Sequence, residues 1–250
     1  MLNEDALHRA LRAAGLTAPV RWDEVTKSTN ATALAMATEG TPAWTLVAAG
    51  HQTAGRGRRG REWVDRPGRA LMFSVVLRPA IEPEGVGLVS VAAGAAMAEV
   101  ASEASGRDVR CKWPNDLMVG ESKVGGILGE AEMMARGIEH VVLGIGVNLD
   151  PPEGVAGAAA IGGVDEEALL TSFLRRFHSM IEGGSDEILN RWRAVSATLG
   201  RRVEATTVGG DTASGVAADL DETGALLVET DEGTVRVAFG EIHHLGVNTG

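Results

Sequence analysis

The chain has 250 residues, 44% hydrophobic and 23% charged, which suits one large folded domain or a large domain joined to a small one. Its formal net charge of −11 disfavours nucleic acid as a general partner. A single cysteine, Cys111, excludes an intrachain disulfide; with no basic-plus-apolar leader and no apolar run near ~18 residues, neither secretion nor a membrane is expected, and the cytoplasm is the expected location.

Leu7 and Leu11 at helical spacing predict a helix over residues 4–14, and residues 20–25 a strand. Ser28 is placed to cap a helix over residues 31–38. Residues 44–49 and 71–77 predict buried strands, and the Ala-rich stretch 86–102 a buried helix. Residues 124–128 and 140–147 predict two further strands, after which Pro151-Pro152 breaks the chain. Two amphipathic helices are expected over 166–181 and 186–195, with Leu169, Leu170, Phe173, Leu174 and Phe177 on the apolar face of the first. Beyond Leu199, β-type runs at 202–207, 214–220, 225–229 and 234–239 alternate with turns at Gly209-Gly210, 221–224 and 231–233. That spacing predicts a small all-β barrel of about fifty residues, with the boundary at 197–200.

Charge is unevenly placed. Between residues 50 and 80, seven arginines face only Glu62 and Asp65, whereas after Gly200 nine acidic residues face Arg201, Arg202 and Arg236. A cationic island on an acidic chain suits a small anion or polyanion.

Its centre is Gly55-Arg56-Gly57-Arg58-Arg59-Gly60-Arg61. Four guanidinium groups in seven positions cannot be buried unpaired. The string fits G-x-G-x-x-G, but that fingerprint turns directly from a strand into a helix; here the expected strand ends at Ala49, and Pro67-Gly68 follow. What remains is a solvated basic loop, or a flexible one that closes over a carboxylate and phosphates with bidentate hydrogen bonds. Lys112-Trp113-Pro114-Asn115-Asp116 sets a cation, an amide and a carboxylate about a proline that holds Trp113 extended. It is an ordinary turn with an ion pair, or a place where Lys meets phosphate and Asp holds Mg²⁺ or orients the Lys. Lys123-Val124-Gly125-Gly126-Ile127-Leu128-Gly129-Glu130 leads one of three lysines into glycines that admit a ligand close to backbone, or forms a bulge with an exposed Lys. Gly144-Ile145-Gly146-Val147-Asn148 ends a strand in an amide that reaches a base or ribose, or merely turns the chain. His243-His244 is not read as a metal site: adjacent strand residues face opposite ways, and no Cys or His lies at ligand spacing.

Taken in order, with Ser28-Thr29-Asn30 and Gln52-Thr53-Ala54 ahead of the arginines, these motifs resemble the biotin–protein ligase family. The resemblance runs over residues 20–150 and, more weakly, through the C-terminal β segment, which looks like the family's SH3-like barrel. It implies an α+β fold. A central mixed β-sheet flanked by helices, like those of class II synthetases and lipoate ligases, would span residues 1–198, and a small SH3-like barrel residues 199–250. It implies ATP and biotin as substrates, with Mg²⁺ accompanying ATP. Biotin would be activated to biotinyl-5′-AMP and passed to a lysine of a biotin carboxyl carrier domain. By resemblance Ser28, Thr29, Asn30, Gln52, Arg56, Gly57, Arg58, Lys123 and Gly126 fall on the biotin side. Arg61, Trp63, Lys112, Asp116 and Asn148 fall on the nucleotide side. Lys123, Arg58 and Lys112 would carry the catalysis, and Asp116 alone would approach the Mg²⁺. The physics agrees, because a carboxylate and a triphosphate repel and fixed cations lower that barrier.

Some members of that family carry an N-terminal DNA-binding winged helix. The segment ahead of Val20 is too short for one, so ligase activity without specific DNA binding is expected, as a monomer or a homodimer. The competing readings are a lipoate ligase or octanoyl/lipoyl transferase, which the arginine segment opposes, and a non-catalytic sensor of biotinyl-AMP, which the missing DNA-binding segment opposes.

Overall fold

The computed structural model describes residues 2–79, 82–134, 137–207, 210–238 and 240–245. Helix α1 (Glu4–Ala13) begins where the Asn3 side chain accepts the Ala6 amide, and it buries Ala6, Leu7, Ala10 and Leu11 along one stripe. Strands β1 (Val20–Asp23) and β2 (Leu46–Ala49) pair in parallel, which requires a crossover between them; α2 (Thr29–Thr38) supplies it. A two-stranded ribbon follows, β3 (Gly55–Arg56) with β4 (Glu62–Trp63), and then β5 (Ala70–Leu77), buried at every residue. Helix α3 (Val86–Ser105) leads to β6 (Val109–Lys112), β7 (Asp116–Val119), β8 (Ser122–Met134) and β9 (Gly137–Asn148). Helix α4 (Glu166–Ala194) precedes β10 (Arg202–Thr207), β11 (Thr212–Leu220), β12 (Leu226–Thr230), β13 (Gly233–Val237) and β14 (Gly240–His244).

The main sheet has the order β1-β2-β5-β9-β8-β7-β6, parallel only between β1 and β2, so the expected mixed sheet is present. The helices α1, α3 and α4 close the larger core, where Phe73, Phe173 and Phe177 pack ring against ring. On the opposite face α2 covers the sheet through Ala33 and Ala37 on Val47, Val76 and Val142.

Several expectations change. The segment Pro83–Ser105 is long and apolar enough, by length and composition, to cross a membrane, contrary to the reading of the sequence. It is the central core helix here, buried between the sheet and α4. Strands β6 and β7 were not expected, because Arg110 and Lys112 interrupt the first and the second is a four-residue strand behind a turn. The two helices expected after residue 166 are both present: α4 consists of two helical segments that meet at a break at Gly184 (φ 80°, ψ −175°), a backbone conformation that favours glycine.

The C-terminal part forms five antiparallel strands, not four, in the order β13-β12-β11-β10-β14. Its edges β13 and β14 are not hydrogen-bonded to each other among the described residues, so the expected small all-β part takes the form of a five-stranded antiparallel sheet whose closure is not seen among those residues. Phe239, the expected end of a strand, and Gly209, in an expected turn, lie outside the described residues.

This sheet shares the core of the larger part: Val203, Leu226, Val228 and Ile242 belong to the same cluster as Phe73 and Trp192. Trp113, 2% exposed, ties the two together. Its backbone N–H donates to Thr198 Oγ1 at 2.9 Å and its indole Nε1 to the Gly224 carbonyl at 3.1 Å. Gly224 (φ +84°) passes against Leu88 of α3, where a side chain would be strained.

Nearby, His244 Nδ1 lies 2.9 Å from Arg201 Nη1, which can only donate, so the histidine is held neutral. Burial, helped by Lys112 and Arg201, lowers its pKa from 6.5 to about 4. The unfolded chain therefore takes up a proton between those pH values that the folded chain refuses. Stability is full above 6.5 and falls as pH drops toward 4. In equilibrium denaturation, wild type should lose on the order of 1 kcal/mol more than His244→Gln over that range, after allowance for partial exposure. Parallel pH profiles for the two proteins would contradict this.

Candidate active site

A cleft opens on the α2 side of the main sheet. The start of α2, the β3–β4 ribbon, the β6–β7 turn, and segments of β8, β9 and β14 line it.

The α2 end is neutral and polar. Ser28 caps the helix through its side chain, which accepts the Ala31 amide, and this turns the first residues of the helix toward the sheet. Gln52 Oε1 accepts from the Thr29 amide at 2.8 Å and from Thr29 Oγ1 at 3.2 Å. Ser74 Oγ donates to Asn30 Oδ1 at 2.6 Å and lies 2.8 Å from Thr29 Oγ1. Asn30 Nδ2 donates to Glu130 Oε2 at 2.8 Å and contacts the Leu128 carbonyl at 3.3 Å. All four residues Ser28, Thr29, Asn30 and Ser74 are buried, so their hydrogen bonds fix them rather than leaving them to solvent.

The other end is ionic. Lys123 Nζ pairs with Asp116 Oδ1, and the strand register sets Asp116 opposite Lys112. Val124 is the extra residue of a bulge between β7 and β8, and Lys123, next to it, pairs in register with Met118. Asn115 fastens the turn to β8 twice, its side chain donating to the Ile127 carbonyl and its carbonyl accepting the Ile127 amide, both at 2.9 Å. The Trp113–Pro114 peptide is cis.

Rather than a free basic loop, the arginine segment forms the β3–β4 ribbon, whose turn holds Arg59 at φ 53°. Arg56 pairs with Glu130 at 3.0 Å, and Arg61 with Glu241 at 2.5 Å, with Arg59 3.6 Å from the same carboxylate. Arg58 donates to the Gly240 carbonyl at 3.1 Å and lies 3.4 Å from Asn115 Oδ1. Burial, and then the charge of Arg59, lower the Arg58 pKa against the opposing pull of Glu241 and Asp116. An anion bound beside it would relieve both. His51 and Asp65, 2.9 Å apart, join the two ends of the segment.

Two glycines make room for this arrangement. A Cβ on Gly144 would lie 2.0 Å from Asn30 Oδ1, and one on Gly146 would lie 2.7 Å from the Trp63 ring. They seat protein side chains flat on the sheet. Gly125 allows close approach of β9, where its Cβ would meet the Gly146 carbonyl at 2.7 Å. The Trp63 indole lies over Gly146 with Nε1 buried and unpartnered among the described residues.

Of the residues singled out from sequence, Ser28, Thr29, Asn30, Gln52, Arg56, Gly57, Arg58, Arg61, Trp63, Lys112, Asp116, Lys123 and Gly126 all line the cleft. Asn148 does not: its amide donates to the Ala159 carbonyl at 2.9 Å and holds the following loop. Sequence reasoning missed Ser74 and Glu241, and named Glu130 only as the end of the Lys123 segment, without its role in holding Asn30 and Arg56. A lone hydroxyl inside an otherwise apolar buried strand was the available signal for Ser74; Glu241 reaches the cleft only through the placement of the C-terminal sheet.

Residues 22–148 match the biotin/lipoate A/B protein ligase family, and residues 198–245 match the biotin protein ligase C-terminal domain. The biotin–[acetyl-CoA-carboxylase] ligase of Mycobacterium tuberculosis (strain ATCC 25618 / H37Rv) is 32% identical over 95% of this chain and 95% of its own length. The bifunctional ligase/repressor BirA of Bacillus subtilis (strain 168) is 30% identical over 96% of this chain and 78% of its own. Among solved structures, the biotin protein ligase from Aquifex aeolicus in complex with biotin and ATP superposes with a TM-score of 0.75 at 26% identity, covering 90% of this chain and 97% of that one.

The seat at Gly144 gives a direct test of the polar end. Gly144→Ala forces Asn30 off Ser74 and Glu130 and should cost about 1–3 kcal/mol in chemical denaturation, the range for overpacking a tight interior. A change below about 0.5 kcal/mol, the scale of an innocuous surface substitution, would show that Asn30 is not held as described.

Proposed function

The chain belongs to the biotin/lipoate A/B protein ligase family, and from that premise we propose that it is an ATP-dependent biotin–protein ligase, which forms biotinyl-5′-AMP and transfers biotin to a lysine of a biotin carboxyl carrier domain. The observation that carries this reading is the division of the cleft into a neutral hydrogen-bonding end and an end lined by Arg56, Arg58, Arg61, Lys112 and Lys123. Biotin has the matching form, an uncharged ureido head and a carboxylate tail. Thr29, Gln52, Ser28 and Asn30 would take the head; Arg56, Gly57, Gly126 and Lys123 would line the path of the tail.

In the first step a biotin carboxylate oxygen attacks the α-phosphorus of ATP, the bond to the β-phosphate oxygen breaks, and pyrophosphate leaves. In the second, the unprotonated Nζ of the acceptor lysine attacks the new carbonyl carbon and AMP leaves. Both steps build negative charge on phosphate oxygens. Fixed cations answer that charge without reorganising, and they bring two mutually repelling anions to bonding distance. Lys123, held by Asp116, and Arg58, held by Gly240 and Asn115, are the cations we assign to the reacting centre, with Lys112 and Arg61 on the phosphates. Trp63 would offer its ring to the adenine. Asn148 would act only through the loop it holds at Ala159.

Mg²⁺ fits this donor set as a companion of the nucleotide. Hard cations take carboxylate and phosphate oxygens, usually with few protein ligands. The cleft's carboxylates are Glu62, Asp116 and Glu241, and Glu241 is already matched by Arg59 and Arg61. Asp116, which also pairs with Lys123, is the residue we assign to the ion, whose charge would offset that of the phosphates. We infer a cytoplasmic location, a reading that the proposed use of ATP supports. We treat residues 1–198 as the catalytic part and 199–250 as the C-terminal part, a division supported by the family match that begins at residue 198.

Incubation of a purified biotin carboxyl carrier domain with this protein, biotin and MgATP should add one biotin to one lysine, read by mass spectrometry; no biotin-dependent addition would overturn the reading. Lys123→Ala should slow single-turnover formation of biotinyl-AMP by roughly 10²–10³, as expected for loss of a preorganised donor. A rate within tenfold of wild type would contradict the role assigned to it.

Arg58→Gly should act differently. It unfastens the ribbon from Gly240 and Asn115 and adds backbone freedom to a segment already rich in glycine. Release of radiolabelled biotinyl-AMP from preformed complex should quicken, and bystander lysines, such as those of albumin, should be labelled. Unchanged release together with lost adenylation would place Arg58 in the chemical step alone.

A further inference from the structure

Away from the cleft, a group of metal-ligand side chains stands on the β8–β9 hairpin: Glu132, Glu139 and His140, each offering an atom within 4.8 Å of those of the other two. Neighbours on a strand, such as Glu139 and His140, ordinarily face opposite sides of a sheet. Here Glu132 pairs with His140 and Met133 with Ile138, so Glu139 is an extra residue in β9. Such a bulge sets two residues against one and re-aims a side chain. This irregularity brings both neighbours to Glu132. Arg78 fixes the bulge, donating through Nη1 to the Glu139 carbonyl at 3.3 Å while Nε and Nη2 hold the Thr41 and Ala37 carbonyls at 3.0 and 2.7 Å.

His140 supplies an independent observation. It is fully buried, and neither ring nitrogen has a hydrogen-bond partner among the described residues. Its Nε2 lies 3.4 Å from Glu132 Oε2 and so is directed into the group. A buried imidazole with both nitrogens unmatched is costly, and two carboxylates at this range repel. A divalent cation answers both: it takes the free nitrogen and balances the two negative charges. One imidazole nitrogen with carboxylate oxygens suits a borderline ion, whereas Mg²⁺ and Ca²⁺ take oxygen ligands. Glu139 is exposed and Glu132 partly so, which leaves a way in.

We propose that Glu132, Glu139 and His140 form a binding site for a divalent transition-metal cation of the Zn²⁺ type, with water completing its coordination, separate from the catalytic cleft. The ion would cross-link β8 to β9, two residues along β8 from Glu130, which carries Asn30 and Arg56.

The test is a titration of the chelator-treated full chain with ZnCl₂, without nucleotide or biotin, followed by competition against a chromophoric chelator. One equivalent per chain should bind. Glu132→Gln and Glu139→Gln, both at positions with solvent access, should fold as wild type by circular dichroism, retain ligase activity, and each weaken binding roughly tenfold or more. His243→Gln should leave the affinity unchanged. The proposal is overturned by the absence of stoichiometric binding, by equal affinity in wild type and both Glu variants, or by loss of binding in His243→Gln instead.

Discussion

Like charges crowd one cleft of this protein, and before any ligand arrives they must be held in place without one. Lys123 is held by Asp116, Arg56 by Glu130, and Arg59 and Arg61 by the single carboxylate of Glu241. Exposed pairs of this kind contribute little to stability, about 0–1 kcal/mol each. Their effect is on position. They keep the cations preformed, and because each pair is weak, an incoming carboxylate or phosphate can displace the internal partner at small cost. Arg58 shows the same logic from the other side: burial weakens its hold on its proton, so an anion placed beside it gains more than one in open solvent.

The rest of the fold serves that arrangement. Without Gly144 the Asn30 amide could not lie on β9, and without Gly146 Trp63 could not cover it. Glu241 belongs to the last strand, so the ribbon's counter-charge comes from the far end of the chain. That sheet is no loose appendage. Trp113, inside the Lys-Trp-Pro-Asn-Asp turn, donates to both Thr198 and Gly224, and the hydrophobic core runs unbroken between the two parts. The C-terminal sheet thus closes one wall of the cleft and holds the turn that carries Lys112 and Asp116.

How much of this was legible in the sequence follows from which interactions are local. Ser28 as a helix cap, the apolar faces of α1 and α4, and the buried run of β5 depend on near neighbours and read directly. So did most of the cleft, because its lining is concentrated in short contiguous motifs. Non-local pairing was not legible: β6 and β7 have little character of their own, and β14 is short and polar at Glu241, His243 and His244. The arginine segment read as a flexible loop because nothing in its composition reveals Glu130 or Glu241 as partners. The motif at 144–148 read only through its Asn148 amide, whereas the structure uses its glycines, 144 and 146, to seat Asn30 and Trp63. The bulge at Glu139 defeats the alternation rule by which adjacent strand residues are read as facing apart.

The central claim is that the neutral end of the cleft selects biotin while the cationic end activates its carboxylate. Isotope exchange between radiolabelled pyrophosphate and ATP, measured with each candidate acid in turn, tests both halves at once, since exchange requires reversible formation of the acyl-adenylate. Rapid, saturable exchange with biotin and little with lipoate or octanoate is the predicted result; no exchange with biotin, or equal exchange with lipoate, would contradict the account.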